Sequence, residues 1–204
     1  MPSIYTLKPQ FQAVLRPIVR SLAASGVTAN QVTVLACALS IVTGILVTIH
    51  PALLLFLSVT LFLRMALNAI DGMLAREFGQ KSNLGACLNE LCDVVSDAFL
   101  YLPFAWIPGF DPLWIGIVIV MAVISEMAGV TAVMIGAARR YDGPMGKSDR
   151  AFVFGALAVW IGVFGTPPGG AAWAIPRLIA LLLAATIVNR VRRGLADTRE
   201  SRTK

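Results

Sequence analysis

The sequence predicts an all-α, polytopic membrane protein with six transmembrane helices, preceded by an N-terminal amphipathic helix at the membrane interface. Hydrophobic residues make up 57% of the chain and charged residues only 14%, with a mean hydropathy of +0.78. A soluble domain of this size needs a more polar surface, so the composition is typical of a membrane protein. The apolar residues form six runs, each close to the ~20 residues that cross hydrocarbon. These runs are 31–49, 52–75, 85–107, 113–138, 150–166 and 172–191.

We therefore treat residues 1–204 as one membrane domain. It comprises a juxtamembrane segment (1–26), a six-helix core (27–193) and a basic cytoplasmic tail (194–204). The juxtamembrane segment contains an amphipathic helix over residues 9–24, in which apolar residues recur at helical spacing. These are Phe11, Val14, Leu15, Ile18 and Leu22, with Gln12, Arg16 and Arg20 on another side. Such a helix is typical of the membrane interface, and Pro17 predicts a kink; a frayed basic tail is the alternative.

Capping and breaking residues bound the spans. Thr28 or Asn30 can cap the first of them. The turn at residues 50–51 is very short, so the first two spans are predicted to be adjacent and antiparallel. The fifth span is the weakest because three glycines lower its helix propensity, and it ends at the Pro-Pro-Gly-Gly run of residues 167–170.

The distribution of lysine and arginine predicts the orientation. All of them except Arg64 and Arg177 fall in the terminal segments, the second connection and the fourth connection, which lie on one side of a six-span chain. The positive-inside rule places that side in the cytoplasm. Topology and anionic lipid headgroups account for the net charge of +6, so no nucleic-acid partner is expected. We expect a multi-pass protein of a bacterial inner membrane.

Polar side chains are concentrated on the second and third spans, near their connecting loop. They are Asn68 and Asp71 on the second span, and Asn89, Glu90, Asp93 and Asp97 on the third. Ionisable groups within apolar helices are costly, so they indicate a functional site. A set of oxygen ligands without His or Cys favours Mg²⁺ or Mn²⁺ over zinc. The three cysteines lack metal-finger spacing and are interpreted as packing residues.

Counting from the loop predicts which residues of the two antiparallel helices share a level. Asp71 should lie level with Asn89 or Glu90, and Asn68 with Asp93. Both levels lie ~8–12 Å from the helix ends, at ~1.5 Å per residue. One level deeper, Arg64 should face Asp97. Asp97 then forms either a structural ion pair with Arg64 or a direct contact to metal or substrate.

These residues carry a family resemblance. The chain reads N-x2-D-G-x2-A-R-x8-G-x3-N-x3-D from Asn68 to Asp93. This resembles the motif D-x2-D-G-x2-A-R-x8-G-x3-D-x3-D of the CDP-alcohol phosphotransferase (CDP-alcohol phosphatidyltransferase) family, with Asn at the first and third motif Asp positions. The stretch 27–33, which opens the first span, is also similar to the family pattern.

The resemblance implies transfer of a phosphatidyl group from a CDP-alcohol, such as CDP-diacylglycerol, to an acceptor alcohol with release of CMP. It implies a homodimer, and a divalent metal, Mg²⁺ or Mn²⁺, at the cytoplasmic face. The implied metal ligands are Asn68, Asp71, Asn89 and Asp93, with Asp93 also the catalytic base. The implied substrate-binding residues are Gly72, Ala75, Arg76 and Gly85. Lys147 and Arg150 are candidates for a phosphate on the acceptor; the positive-inside rule explains both equally well.

The two asparagines leave several alternatives open. They keep a ligating oxygen but remove two negative charges, and Glu90, which points ~100° away from residue 89, need not restore one. The site then takes one metal, takes two held by substrate phosphates, or binds nucleotide without turnover. A catalytically silent CDP-lipid-binding relative and, less favoured, a cation transporter are the other function classes. Glu126, in the fourth span, is protonated, paired across helices or part of the acceptor cavity.

Overall fold

The computed structural model describes residues 8–168 and 170–202, and this part of the chain is helical without strands. The ends of the predicted segments 1–26 and 194–204, and Gly169 of the predicted break, lie outside the described residues. The helices are α1 (Lys8–Ala24), α2 (Ala29–Ile49), α3 (Leu54–Glu77), α4 (Asn83–Tyr101), α5 (Pro112–Met134), α6 (Lys147–Phe164) and α7 (Ala171–Arg202). Short 3₁₀ turns cover Pro51–Leu53 and Leu102–Trp106.

Four of the described helical stretches are long and apolar enough to cross a membrane: Ala29–Ile49, Pro51–Glu77, Pro112–Met134 and Ala171–Arg199. The third and fifth predicted spans form helices, α4 and α6, but these two helices are too polar to be counted with the four. Each carries three charged residues within about five turns. The six-span topology therefore stays a prediction, and the two polar helices are the ones that carry much of the candidate site.

Two of the predicted spans end earlier than expected. Residues 85–107 were predicted as one helix, but α4 gives way to a 3₁₀ turn after Tyr101, where Pro103 cannot donate a backbone hydrogen bond. Residues 113–138 were predicted as another, but α5 ends at Met134, followed by Gly136 with a φ of 86°. Only glycine adopts this conformation readily, so the residue terminates the helix.

α1 packs against α3 and continues through Pro17. Val19 is completely buried and Leu15 nearly so, whereas Val14 and Ile18 are exposed. Arg16 pairs with Glu77 at the end of α3, with a distance of 2.9 Å between Nη2 and Oε1. The helix is thus present, and its location at a membrane interface stays a prediction.

α2, α3 and α4 form the frame of the site. Thr28 caps α2 in a reciprocal arrangement with Gln31, as predicted for Thr28. α2 and α3 are adjacent and antiparallel, as predicted; Thr43 and Thr60 hydrogen-bond across them at 3.0 Å. α2 and α4 run parallel, and the absence of a side chain at Gly44 lets α2 approach the backbone of Phe99 closely.

Candidate functional site

The two carboxylates of the predicted site lie on neighbouring helices, and each has a polar neighbour. On α3, Asp71 is buried and accepts a hydrogen bond of 2.8 Å from the hydroxyl of Thr33 on α2. On α4, Asp93 is also buried and accepts a hydrogen bond of 3.3 Å from the side-chain amide of Asn68. This contact confirms the predicted level of Asn68 and Asp93. Three helices therefore supply oxygen-bearing side chains to one cluster.

Asp93 differs from Asp71 in its cationic partners. The ammonium of Lys147, the first residue of α6, pairs with Asp93 Oδ2. Arg64 donates from Nη2 to the Asp93 backbone carbonyl at 2.9 Å and lies 3.4 Å from Oδ1. Within the described part of the chain, no Lys or Arg forms an ion pair with Asp71. Asp71 is thus the carboxylate that lacks a counter-charge.

Glu90 is turned away from the cluster. Glu90 turns towards the segment after α5, where its carboxylate lies 2.5 Å from Nη1 of Arg139. Asn89 is half-buried on α4, one turn before Asp93. Of the two residues predicted level with Asp71, Glu90 is therefore held elsewhere and does not replace the charge missing at Asn89.

Arg150, predicted to bind substrate, is buried in an ion-pair network one helical turn deeper than Asp93. Its guanidinium donates to Asp97 at 2.7 and 3.1 Å and to Glu126 at 2.9 Å. Only 1% of Arg150 is exposed, and its remaining donor, Nη1, is shared between the hydroxyl of Ser125 at 3.2 Å and the carbonyl of Met145 at 3.3 Å. Arg150 is therefore held by buried ion pairs, and an acceptor phosphate could contact it only by displacing one of these carboxylates.

Asp97 and Glu126 complete this network. The predicted Arg64–Asp97 ion pair is present, and Arg150 is a second partner of Asp97 that sequence reasoning missed. Glu126 pairs across helices, with Arg190 on α7 at 3.4 Å as well as with Arg150. Pairing is thus the alternative that the structure shows for Glu126. The network ties α3, α4, α5, α6 and α7 together directly below the cluster.

Two glycines of the motif make room for polar groups. A Cβ on Gly72 would lie 2.8 Å from the guanidinium of Arg76, which folds back over its own helix. A Cβ on Gly85 would lie 2.7 Å from the side-chain oxygen of Asn30. Arg76 is exposed and Ala75 half-buried, so this face of α3 is open beside the cluster.

The donor chemistry of the cluster fits a hard divalent cation. Asp71, Asp93 and Asn68 offer carboxylate and amide oxygens, which Mg²⁺ and Mn²⁺ prefer, and Asn89 lies on α4 one turn before Asp93. The carboxylates number only two, and in residues 8–168 and 170–202 no three His, Cys, Asp or Glu side chains come together as a metal cluster. The charges of Asp93 and Lys147 both act on Asp71, so the three form one electrostatic unit.

Thr33 was missed as a site residue because it lies in a stretch interpreted as the opening of a helix. Its hydroxyl also lies 3.0 Å from the carbonyl of Ala29 on its own helix. Because a helical threonine can hydrogen-bond to a carbonyl of its own helix, the sequence does not indicate that it has a partner on another helix. The resemblance of residues 27–33 to a family pattern was the only available signal.

Known proteins of one family resemble this chain over most of its length. The model of a family described as CDP-alcohol phosphatidyltransferase matches residues 26–191. The inner membrane protein YnbA of Escherichia coli (strain K12) is 41% identical over 202 residues, which cover 97% of this chain and 99% of YnbA. A phosphatidylinositol phosphate synthase of Mycobacteroides abscessus is 25% identical over 189 residues, or 90% of this chain and 83% of that protein.

Solved structures share the fold. The Mycobacterium tuberculosis phosphatidylinositol phosphate synthase crystallised with CDP-DAG has a TM-score of 0.70 and 23% identity, covering 87% of this chain and 92% of that one. The same enzyme in complex with manganese and citrate has a TM-score of 0.70 and 24% identity, covering 88% of each chain. At this level of identity, the likeness establishes the arrangement of helices.

Proposed function

The chain belongs to the CDP-alcohol phosphatidyltransferase family, and on that premise we propose that it synthesises a phospholipid at the cytoplasmic face of a bacterial inner membrane. The proposed reaction transfers a phosphatidyl group from CDP-diacylglycerol, or another CDP-alcohol, to an acceptor alcohol and releases CMP. The observation that carries the proposal is the meeting of Asp71 and Asp93 with Asn68 and Thr33 on three adjacent helices.

The site residues have distinct proposed tasks. Asn68, Asp71, Asn89 and Asp93 would hold Mg²⁺ or Mn²⁺, which when bound neutralises diphosphate oxygens and the departing CMP. Thr33 fixes one oxygen of Asp71 by donating to it. The open face at Gly72, Ala75 and Arg76 admits the nucleotide and its phosphates, and Gly85 keeps α4 close to Asn30. A manganese-bound structural relative supports a divalent ion.

Asp93 is the proposed general base. Its carboxylate takes the proton of the acceptor hydroxyl, whose oxygen forms a bond to the lipid-side phosphorus. The bond from that phosphorus to the bridging oxygen breaks, and CMP leaves with the bonding electrons. Lys147 and Arg64 pair with the carboxylate of Asp93 and hold it in position.

The proposed acceptor site lies beside the start of α6 and the end of α7. Lys147 and Arg193 are two partly exposed cations at this end, with 29% and 65% of their side chains accessible, and Arg193 also pairs with Asp142 at 2.6 Å. A phosphorylated acceptor suits them, and the relatives named phosphatidylinositol phosphate synthases support such an acceptor. Arg150 acts behind this site through Asp97 and Glu126. A six-span homodimer is part of the proposal.

The test measures release of radiolabelled CMP from CDP-diacylglycerol by the purified protein with Mg²⁺ or Mn²⁺ across a panel of acceptor alcohols. We expect turnover with at least one acceptor, and none after Asp93→Asn. Asp111→Asn serves as the control because Asp111 lies in the connection before α5, away from the cluster.

Turnover that survives Asp93→Asn would show that Asp93 is not the base. A wild-type protein that binds CDP-diacylglycerol but releases no CMP with any acceptor would favour the catalytically silent relative. Two motif asparagines in place of carboxylates are the observation behind this second candidate.

A further inference from the structure

The contact between Lys147 and Asp93 joins a fixed positive charge to the candidate metal site. Lys147 is the first residue of α6, and its ammonium lies on Asp93 Oδ2 while Arg64 lies near Oδ1. Both oxygens of this carboxylate therefore have a cationic neighbour supplied by the protein. Asp71 has a hydroxyl neighbour, and among the described residues no cation pairs with it.

Lys147 is held in place by the rest of the helix. Asp149 accepts a 2.9 Å hydrogen bond from the backbone of Gly146 and so caps the first turn of α6. Arg150, one turn along the helix, is anchored to Asp97 and Glu126 in the interior. Because the start of α6 is fixed at both points, Lys147 stays over Asp93 rather than extending into the solvent.

The charges of the cluster argue for a single metal ion. Two divalent ions bring four positive charges, and only Asp71 and Asp93 are available to oppose them once residues 68 and 89 are asparagines. Lys147 already compensates one of these two carboxylates. Two divalent ions about 4 Å apart also repel each other strongly unless carboxylates surround them.

We propose that Lys147 takes the place of a second divalent cation, so that the site binds one divalent cation per chain, on Asp71, with the ammonium as its other positive charge. This inference rests on the proposed function in one respect, that the cluster is a metal site. The two asparagines and Lys147 then act together. The asparagines lack the negative charges that a second divalent ion needs, and the ammonium of Lys147 supplies a positive charge in its place.

The experiment is a titration of purified full-length protein with Mn²⁺ alone, followed by the electron paramagnetic resonance signal of free Mn²⁺. We expect one Mn²⁺ per chain for the wild type and for Lys147→Arg, which keeps the charge. Lys147→Met should bind Mn²⁺ at least about tenfold more tightly, because a neighbouring positive charge is gone. Lys81→Met, which removes an exposed lysine from the loop between α3 and α4, is the matched control and should change little.

A gain-of-site variant gives the decisive comparison. Asn68→Asp with Asn89→Asp restores the carboxylates, and we expect this double variant to bind a second Mn²⁺ only weakly. Adding Lys147→Met should tighten that second site at least about tenfold. Two Mn²⁺ per wild-type chain, no Mn²⁺ at all, or equal effects of Lys147→Met and Lys81→Met would overturn the proposal.

The titration requires no turnover and therefore separates this inference from the proposed activity. A chain that binds one Mn²⁺ and responds to Lys147→Met as expected, but releases no CMP, would retain the single-ion site and refute the transferase. A chain that releases CMP while binding two Mn²⁺ would support the transferase and refute the single-ion site.

Discussion

Replacing Asp97 with asparagine removes one charge from the buried network and leaves two arginines short of a carboxylate. Arg64 and Arg150 have 3% and 1% of their side chains exposed, so water cannot compensate them. Removing one partner of a buried ion pair costs about 3–5 kcal/mol. Arg150 retains Glu126 at 2.9 Å and Arg64 retains Asp93 at 3.4 Å. We therefore expect the lower end of the range, about 3 kcal/mol of unfolding free energy.

The assay is thermal unfolding of the purified protein in one detergent. For a chain of this size, ~3 kcal/mol corresponds to a fall in Tm of about 6–12 °C. Asp111→Asn is the control, because Asp111 pairs with Arg177 at 3.4 Å but has 39% of its side chain exposed. An exposed pair contributes at most about 1 kcal/mol.

A double-mutant cycle identifies the cause. Arg64→Met removes the guanidinium that Asp97→Asn leaves underpaired, so the double variant should lose about 1–2 kcal/mol less than the sum of the single variants. Additive losses would refute the coupling between Arg64 and Asp97. A Tm for Asp97→Asn within about 2 °C of the wild type would refute the burial argument itself.

Three further predictions test other parts of the structure. Thr33→Val removes the hydroxyl that donates to Asp71, and CMP release should fall about tenfold, which corresponds to ~1.4 kcal/mol. Gly44→Ala would place a Cβ 2.2 Å from a backbone oxygen of α4 and should lower the unfolding free energy by about 2–3 kcal/mol. Gly116→Ala, whose Cβ would meet no other described helix within 4 Å, should not lower it, as thermal unfolding of both variants will show. Burial alone would raise the pKa of Asp142, but hydrogen bonds from its two arginine partners outweigh it and hold that pKa below its usual value. The stability that this pairing contributes is present above the unfolded pKa of ~3.9 and is lost as the pH falls through the lower folded value. Melting curves of Asp142→Asn should accordingly show a smaller loss of Tm below about pH 4 than those of the wild type.

The register of the α3–α4 hairpin was predictable because depth along two linked antiparallel helices follows from counting residues. The levels of Arg64 with Asp97 and of Asn68 with Asp93 both appear in the structure. Counting residues does not predict which neighbouring helix a side chain faces once a third helix packs against the hairpin. Glu90 was a candidate for the level of Asp71, and it pairs with Arg139 because the segment after α5 packs there.

The partners of Lys147 and Arg150 were not predictable for a different reason. Both lie in a basic segment on the cytoplasmic side, and the positive-inside rule explains such residues without any contact. Their separation by three residues puts them on one side of α6, but the sequence does not say which helix that side meets. The structure shows that α6 packs on α3, and that from there the side chain of Lys147 reaches Asp93 and that of Arg150 reaches Asp97, one turn apart on α4.

The charges of the chain thus form two layers with different physical roles. In the deep layer, Asp97 and Glu126 are paired with buried arginines, and such pairs contribute little net stability because removing the ions from water is costly. These ion pairs instead fix how the helices pack, because any arrangement that separated the partners would bury an unpaired charge. In the shallow layer, about 6 Å away at one helical turn, Asp71 forms no ion pair with a cation of residues 8–168 or 170–202. The deep layer fixes the helices from which the shallow layer extends, and only in the shallow layer is a carboxylate left for a ligand to neutralise.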